Sequence, residues 1–196
     1  MQASELFNQP NTILLDGGMG TMLQAAGMKL GTRPEDLNIE NPELIRSIHA
    51  KYAAAGSRVV NANTFGASPH KLADSKYTLE EVITAGIANC KQAVAPYGAL
   101  VTLDVGPLGE LLEPSGTLAF EDGVAEYGRI VRAGVAAGAD ILYFETFTDL
   151  YEMKAALLAA KENSTLPIMA SMSFEANGRT FTGCTVESFA ATARGL

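Results

Sequence analysis

Two stretches of this chain repeat one pattern, in which a helix ends, a buried strand follows, and a polar residue precedes Thr-Phe. The first is Ala55-Gly56-x-x-Val59-Val60-x-x-Asn63-Thr64-Phe65, and the second is Ala137-Gly138-x-x-Ile141-Leu142-x-x-Glu145-Thr146-Phe147. The strand of the second copy, residues 139–147, is rich in apolar, aromatic and β-branched residues, which is typical of a strand buried on both faces. A βα unit that recurs with its polar residues at one end is the pattern of a (β/α)8 barrel.

Hydrophobic patterning and capping signals predict about five βα units after a polar lead-in at residues 1–11. The predicted strands are residues 12–16, 58–63, 100–105, 139–147 and 167–174. Two helices are predicted over about residues 21–26 and 119–137. Four more are predicted from their start signals: Asn41-Pro42-Glu43, the Thr78 capping box, Asp149 and residues 182–185. Residues 28–40 are predicted to form a loop.

The number of units leaves two fold classes open. A closed barrel needs eight βα units and usually about 250 residues, and this chain has 196. We therefore expect an α/β fold of the (β/α)8 TIM-barrel type that is present as an incomplete barrel. The alternative is an open five-strand parallel sheet.

Composition excludes several classes of partner. The net charge is −8 and no basic patch is visible, so neither nucleic acid nor an anionic membrane is an expected partner. No apolar run is long enough to span a bilayer, and the N-terminus does not resemble a signal peptide. Two cysteines make no disulfide framework. We expect a cytoplasmic protein.

Polar residues and glycines follow the predicted strands, where parallel α/β folds bind ligands. The candidates are Asp16, Gly17, Gly18, Asn63, Thr64, Asp104 and Glu145. Each has a structural alternative, because acids and amides also cap helices and glycines also serve turns. The glycine-rich turn at residues 17–20 lacks the Gly-Lys-Ser/Thr of a phosphate loop.

Four segments in this order resemble the homocysteine S-methyltransferase family, and especially its cobalamin-dependent branch. They are Leu15-Asp16-Gly17-Gly18-Met19-Gly20-Thr21, Asn61-Ala62-Asn63-Thr64-Phe65-Gly66-Ala67, Asp104-Val105-Gly106-Pro107-Leu108-Gly109-Glu110 and Phe144-Glu145-Thr146-Phe147. Residues Leu37-Asn38 and Asn41-Pro42-Glu43 also fit. The resemblance implies a (β/α)8 barrel and transfer of a methyl group to the sulfur of homocysteine, which forms methionine.

The resemblance also implies a zinc ion that is held by three cysteine thiolates and binds the homocysteine sulfur. Zinc deprotonates a bound thiol, and the thiolate is the nucleophile. The family places those cysteines in Gly-x-Asn-Cys and Gly-Gly-Cys-Cys motifs on the sixth and eighth strands, and this sequence contains neither motif. We expect Cys90 and Cys184 to be structural, His49 to face solvent on its helix, and no catalytic or metal-binding residue in this chain.

By resemblance, Asp16 and Glu145 hold the ammonium group of homocysteine, and the amides of Gly17 and Gly18 face its carboxylate. Asn63, Thr64 and Asp104 then line the pocket. Residues 1–196 are expected to be the N-terminal part of the domain without its last three βα units. This part would supply the amino-acid-binding half of the enzyme, with a cobalamin-binding domain as a possible partner.

A competing hypothesis is a catalytically inactive fragment or interaction module. Open strand edges and an uncovered apolar interior favour association with another chain, either a second copy or a complementing polypeptide. The sequence does not identify the methyl donor.

Overall fold

The computed structural model describes residues 3, 5, 8, 10–29 and 31–196, so the predicted lead-in at residues 1–11 lies largely outside the described residues. The strands are β1 (Val59–Asn61), β2 (Leu100–Val105), β3 (Ile141–Phe147) and β4 (Ile168–Met172). The helices are α1 (Met19–Ala25), α2 (Leu37–Glu40), α3 (Pro42–Ala54), α4 (Leu79–Val94), α5 (Phe120–Ala136), α6 (Leu150–Asn163) and α7 (Val186–Gly195), with 3-10 turns at Pro34–Asp36 and Ala95–Tyr97.

The four strands form one parallel sheet in the order β1-β2-β3-β4. Val59 pairs with Leu100, Thr102 with Ile141, and Leu142 with Ile168. Helices α4, α5 and α6 connect the successive strands, as parallel neighbours require. Spatial order follows chain order without reversal, which is the arrangement of a (β/α)8 barrel; doubly wound sheets reverse direction at a switch point. The fold is therefore a partial TIM-barrel arrangement.

The first predicted strand, residues 12–16, is not a regular strand. It forms a single parallel bridge between Leu15 and Val59, and the Arg58 N–H donates to the Leu14 carbonyl over 2.8 Å. Leu14 is 54% exposed. The stretch still lies along the edge of β1, so it occupies the position of the expected strand with too few ladder hydrogen bonds to count as one. The regular sheet accordingly has four strands where five were predicted.

Local signals place most helix starts correctly. The Thr78 hydroxyl accepts from the Glu81 N–H, while the Glu81 carboxylate accepts from the Thr78 N–H, which is the predicted capping box. Asn41 caps α3, and Asp149 caps α6. The predicted loop at residues 28–40 is wrong in part, because its second half forms a 3-10 turn and α2.

The main core lies between the sheet and helices α4, α5 and α6. Leu103, Leu142 and Phe144 from the strands are fully buried in it. The rings of Tyr127, Phe144 and Phe147 pack together with centroids 5.9–6.3 Å apart. Side chains alternate along a strand, so Asp104, Tyr143 and Glu145 project from the opposite face. That second face carries a small apolar cluster, which includes Val59 and Ile141, near the strand starts and the polar candidate site at the strand ends.

None of the helices within the described residues is long and apolar enough to cross a bilayer.

Candidate functional site

A cleft of about 430 Å³ opens where the strands end. Six of the seven sequence-predicted residues line it: Asp16, Gly17, Gly18, Asn63, Asp104 and Glu145. The other lining residues are Met19, Gly20, Pro34, Glu35, Asn61, Ala62, Phe65 and Thr146. The fold thus gathers residues that are up to 130 positions apart in the sequence, from Asp16 to Thr146, as the carboxyl ends of parallel strands are expected to do.

Asp16 follows the bridge at Leu15 and is fixed through one carboxylate oxygen. Its Oδ2 accepts a hydrogen bond from the Asn61 N–H over 3.0 Å, while Oδ1 is buried without a partner among the described residues. Burial raises the pKa of Asp16 from 3.8 to about 7, against the lowering effect of the Asn61 bond, and the charge of Glu145 raises it further. Asp16 therefore presents a free acceptor oxygen that a cation would stabilise.

Asp104, near the end of β2, is the most deeply placed of the acids. Its side chain is 6% exposed, and its Oδ1 has no partner within the described part of the chain. Burial raises its pKa well above the ordinary range, and the charges of Glu145, Asp16 and Glu35 add to the shift.

Thr64 lies behind this acid instead of lining the cleft. Its hydroxyl donates to the Asp104 carbonyl over 2.8 Å and accepts from the Asp104 N–H over 3.1 Å. The side chain is buried. Thr64 thus ties the end of β1 to β2 and fixes the backbone from which the Asp104 carboxylate projects.

Glu145 reaches the cleft from the end of β3. Burial raises the pKa of its carboxyl group, and the nearby Tyr143 hydroxyl acts in the opposite direction. Tyr143 stands two positions earlier on the same strand and hence on the same face. Glu145 is half-buried at the mouth of the cleft, where a ligand can reach it.

Gly17 and Gly18 pass close to α3. The Tyr52 hydroxyl donates to the Gly18 carbonyl over 3.1 Å. A Cβ atom at position 17 would lie 3.0 Å from the Tyr52 ring, so a side chain there would force the ring to move. The two glycines therefore form a bare backbone wall along the cleft.

Asn63 lines the cleft, but its amide is committed to the chain itself. Its Nδ2 donates to the Pro34 carbonyl over 2.8 Å and to Asn38 Oδ1 over 2.9 Å. Asn38 returns a hydrogen bond to the Asn63 carbonyl over 2.8 Å. This reciprocal pair anchors residues 34–38 beside the end of β1, which is the structural role that the sequence left open for Asn63.

Glu35 is the acid that the sequence did not predict. It stands in the 3-10 turn at Pro34–Asp36, is almost fully buried, and accepts the Gly66 N–H over 2.7 Å. Burial raises the pKa of its carboxyl group. Its segment has no hydrophobic period, so no sequence signal pointed to it. Asn61, by contrast, lies two residues before Asn63 on the same face, and strand alternation would have found it.

The thiols do not form the zinc site that the resemblance implies. Cys90 is buried on α4 with its Sγ 3.8 Å from the Val60 carbonyl, and Cys184 lies 3.1 Å from the Thr185 carbonyl. Burial raises the pKa of both thiols, the opposite of what a thiolate ligand needs. Neither lines the cleft, and within the described residues no three His, Cys, Asp or Glu side chains could hold a metal ion. The residues present here do not fit a three-thiolate zinc centre.

Electrostatically, the cleft is an acid pocket. Four carboxyl groups line it, from Asp16, Glu35, Asp104 and Glu145, and no Lys, Arg or His is among the lining residues. Two of these groups hold an oxygen without a partner among the described residues. Such a site favours a cationic group that donates several hydrogen bonds, as an ammonium does.

Solved structures of known proteins share this fold. The homocysteine methyltransferase MmuM from Escherichia coli superimposes in its metallated form with a TM-score of 0.85 and 22% identity, over 97% of this chain and 73% of that one. Its oxidized form gives 0.86 and 24%, over 97% and 72%. These similarities establish the fold. A family model described as homocysteine S-methyltransferase matches residues 13–196. Because that match spans nearly the whole sequence, this chain belongs to the homocysteine S-methyltransferase family.

Proposed function

We propose that this chain binds the amino-acid end of homocysteine in the acid cleft. The observation that carries the proposal is a pair of carboxylate oxygens, on Asp16 and Asp104, that have no partner among the described residues, in a pocket whose described lining includes no cation. The ammonium of an amino acid has three donors and one positive charge. It would satisfy those oxygens and relieve the mutual repulsion of the acids, with Glu145 closing the site from β3.

The carboxylate of the substrate is assigned to the opposite wall. Gly17 and Gly18 leave their backbone open to the cleft, and successive backbone amides can hold an anion without a cationic side chain. This assignment accounts for a substrate carboxylate in a pocket whose side chains are acidic.

In the reaction of the family, this chain would contribute binding and orientation of the substrate. The homocysteine thiol must be deprotonated before it attacks a methyl group, and the thiols of this chain are not placed for a metal centre that would do so. We propose that residues 1–196 are the N-terminal part of the domain, since they match 73% of the length of the E. coli enzyme. The zinc thiolates would then come from the last βα units. Cobalamin as the methyl carrier remains an expectation from the resemblance, and a cytoplasmic location remains an expectation from the composition.

Calorimetric titration with two ligands tests the binding proposal. Homocysteine should bind at least about tenfold more tightly than 4-mercaptobutanoate, which lacks the amino group, because a charge-assisted hydrogen bond contributes about 1.5–3 kcal/mol. Asp16→Asn and Glu145→Gln should remove most of this preference. Glu162→Gln, an exposed acid on α6, is the matched control and should keep it. Equal affinity of the wild-type chain for the two ligands would disprove the assignment.

A second candidate function is that of an interaction module. All five residues of β4 are half-buried, and an apolar groove of about 760 Å³ lies beside that strand, lined in part by Leu157, Ile168 and Phe189. Leu14 and Leu15 are exposed at the other edge. Unpaired strand edges with apolar surroundings pair readily with another chain, so these edges favour self-association or a complementing polypeptide.

A further inference from the structure

Strand β3 ends in a β-bulge at the candidate site. Phe144 pairs with Ala170 and Phe147 pairs with Met172, so three steps along β3 oppose two steps along β4. The extra residue lets both Phe144 and Phe147 face the helices, where they are fully buried with ring centroids 6.3 Å apart. Glu145 and Thr146 between them both line the cleft. Alternation along β3 turns Glu145 toward the cleft, and the bulge shapes the backbone that directly follows it.

Thr146 adopts a left-handed backbone conformation to make this bulge. Its φ is 59°, a conformation that a β-branched residue adopts only under strain. Two hydrogen bonds hold it there. The Thr146 N–H donates to the Ser171 hydroxyl over 3.2 Å, and the Thr146 hydroxyl donates to the Glu145 carbonyl over 2.8 Å. Since strained backbone persists only where its surroundings impose it, Ser171 on the neighbouring strand becomes part of the site.

The same serine hydroxyl contacts Tyr143. The two hydroxyl oxygens are 3.2 Å apart. Ser171 Oγ already accepts from Thr146, and its own proton is free to donate to the Tyr143 oxygen. The Tyr143 hydroxyl in turn lowers the pKa of the Glu145 carboxyl group on the same face of β3. The Ser171 and Tyr143 hydroxyls thus form a relay that joins Thr146 to Tyr143, on either side of Glu145 in the sequence.

We propose that Ser171 is a positioning residue for homocysteine binding, because one hydroxyl holds both the left-handed Thr146 and the Tyr143 side chain and so fixes the segment of β3 from which the Glu145 carboxylate reaches the ammonium of the substrate. The inference rests on the proposed ammonium-binding role of Glu145. Ser171 does not itself touch the substrate. Loss of the Ser171 hydroxyl should therefore weaken recognition of the amino group and leave the contacts with the rest of the ligand unchanged.

The first test compares Ser171→Ala with Ser171→Thr, which keeps the hydroxyl, in calorimetric titrations of the full chain. Ser171→Ala should weaken homocysteine binding about fivefold or more, the equivalent of one hydrogen bond. Binding of 4-mercaptobutanoate should change less than about twofold, and Ser171→Thr should restore homocysteine affinity. Ser173→Ala, at the exposed position after β4, is the control. Equal weakening of both ligands, or of neither, would overturn the proposal.

The second test needs no ligand. The side-chain carboxyl of Glu145 can be followed by carbon NMR across a pH titration and assigned by its absence in Glu145→Gln. Ser171→Ala and Tyr143→Phe should each raise the pKa of Glu145, since the Tyr143 hydroxyl, which contacts Ser171, lowers it. An unchanged pKa in both variants would refute the relay.

The two tests distinguish failure of the proposed homocysteine binding from failure of the positioning role of Ser171. If wild-type homocysteine binding shows no preference over 4-mercaptobutanoate, the proposed function fails, and the Glu145 titration alone decides the relay. If Ser171→Ala does not fold, Tyr143→Phe removes the hydroxyl group that Ser171 contacts and leaves the bulge unchanged. An unchanged homocysteine affinity and an unchanged Glu145 titration in that variant would then count against the proposal.

Discussion

At the scale of single residues, the site is built from acids that the fold buries at a cost. A carboxylate that loses water without gaining a cation is destabilised, so its pKa rises. Asp16, Asp104, Glu35 and Glu145 all show this direction. Binding sites commonly carry such strain, because the ligand supplies the compensating charge. Without a bound cation, the protein should therefore be less stable than a variant in which these acids are replaced by neutral side chains.

Asp16→Asn should stabilise the ligand-free protein at pH 8 by a few kcal/mol and have little effect near pH 4. The folded-state pKa of Asp16, about 7, lies above its ordinary value of 3.8. The native state thus binds more protons than the unfolded state between those limits, so the free energy of unfolding falls as pH rises from about 4 to 7. Asparagine can still accept the Asn61 N–H without being ionised. Urea denaturation at several pH values measures the effect.

The exposed Asp122→Asn on α5 is the control for that series. It should change stability by less than about 0.5 kcal/mol, as surface substitutions usually do. If Asp16→Asn destabilised the protein equally at every pH, the carboxylate would be serving a structural hydrogen bond and not a binding site.

At the scale of secondary-structure elements, close packing of helix on sheet sets the position of the cleft. Helix α5 lies directly on β2, the strand that carries Asp104. The contact is made through Gly134, where an added Cβ would lie 2.4 Å from Leu103 Cδ2. Leu103 is fully buried. A larger residue at position 134 would push α5 away from the strand that carries Asp104.

Gly134→Ala should destabilise the protein by about 1–3 kcal/mol, although alanine is the better helix former by up to about 1 kcal/mol. Gly128→Ala on the same helix is the matched control, because its Cβ would meet only the side-chain ends of Arg132 and Asn163, at 3.1 and 3.3 Å, and no core residue. That control should be neutral or slightly stabilising. Thermal denaturation followed by circular dichroism compares the two, and equal melting temperatures would refute the packing argument.

At the scale of the whole molecule, the sheet is open at both edges within the described residues. The edge beside Leu14 and the edge formed by β4 both leave apolar surface partly exposed. Such edges lower the barrier to association in the absence of another covering element. The same surfaces are where further strands of a barrel would pair if they were supplied by another chain.

We predict that the chain self-associates in a concentration-dependent manner between about 10 and 500 µM. Leu14→Lys and Ala170→Lys place a charge at the two edges and should each shift sedimentation-velocity profiles toward the monomer. Val135→Lys, on the outer helix α5, is partly exposed in the wild type and should leave the profiles unchanged. A monomer throughout this range in the wild-type chain would contradict the prediction.

The sequence by itself determined the parallel α/β class, most element positions and six of the residues that line the cleft. Strand and helix periods, caps and breakers are local, and the ends of parallel strands converge by topology alone, so Asp16, Asp104 and Glu145 could be placed together. The ordered motifs also identified the family, which the match over residues 13–196 shows.

Tertiary structure decided what local patterns do not encode. Glu35 enters the cleft because hydrogen bonds from Asn63 anchor its irregular segment. His49, predicted to face solvent, is buried without a hydrogen-bond partner among the described residues, since neighbouring elements cover that side of α3 as well. The left-handed Thr146 beside Glu145 is held by Ser171 from another strand. Burial and long-range hydrogen bonds arise only when distant segments pack, so they are properties of the folded chain and not of any one stretch of it.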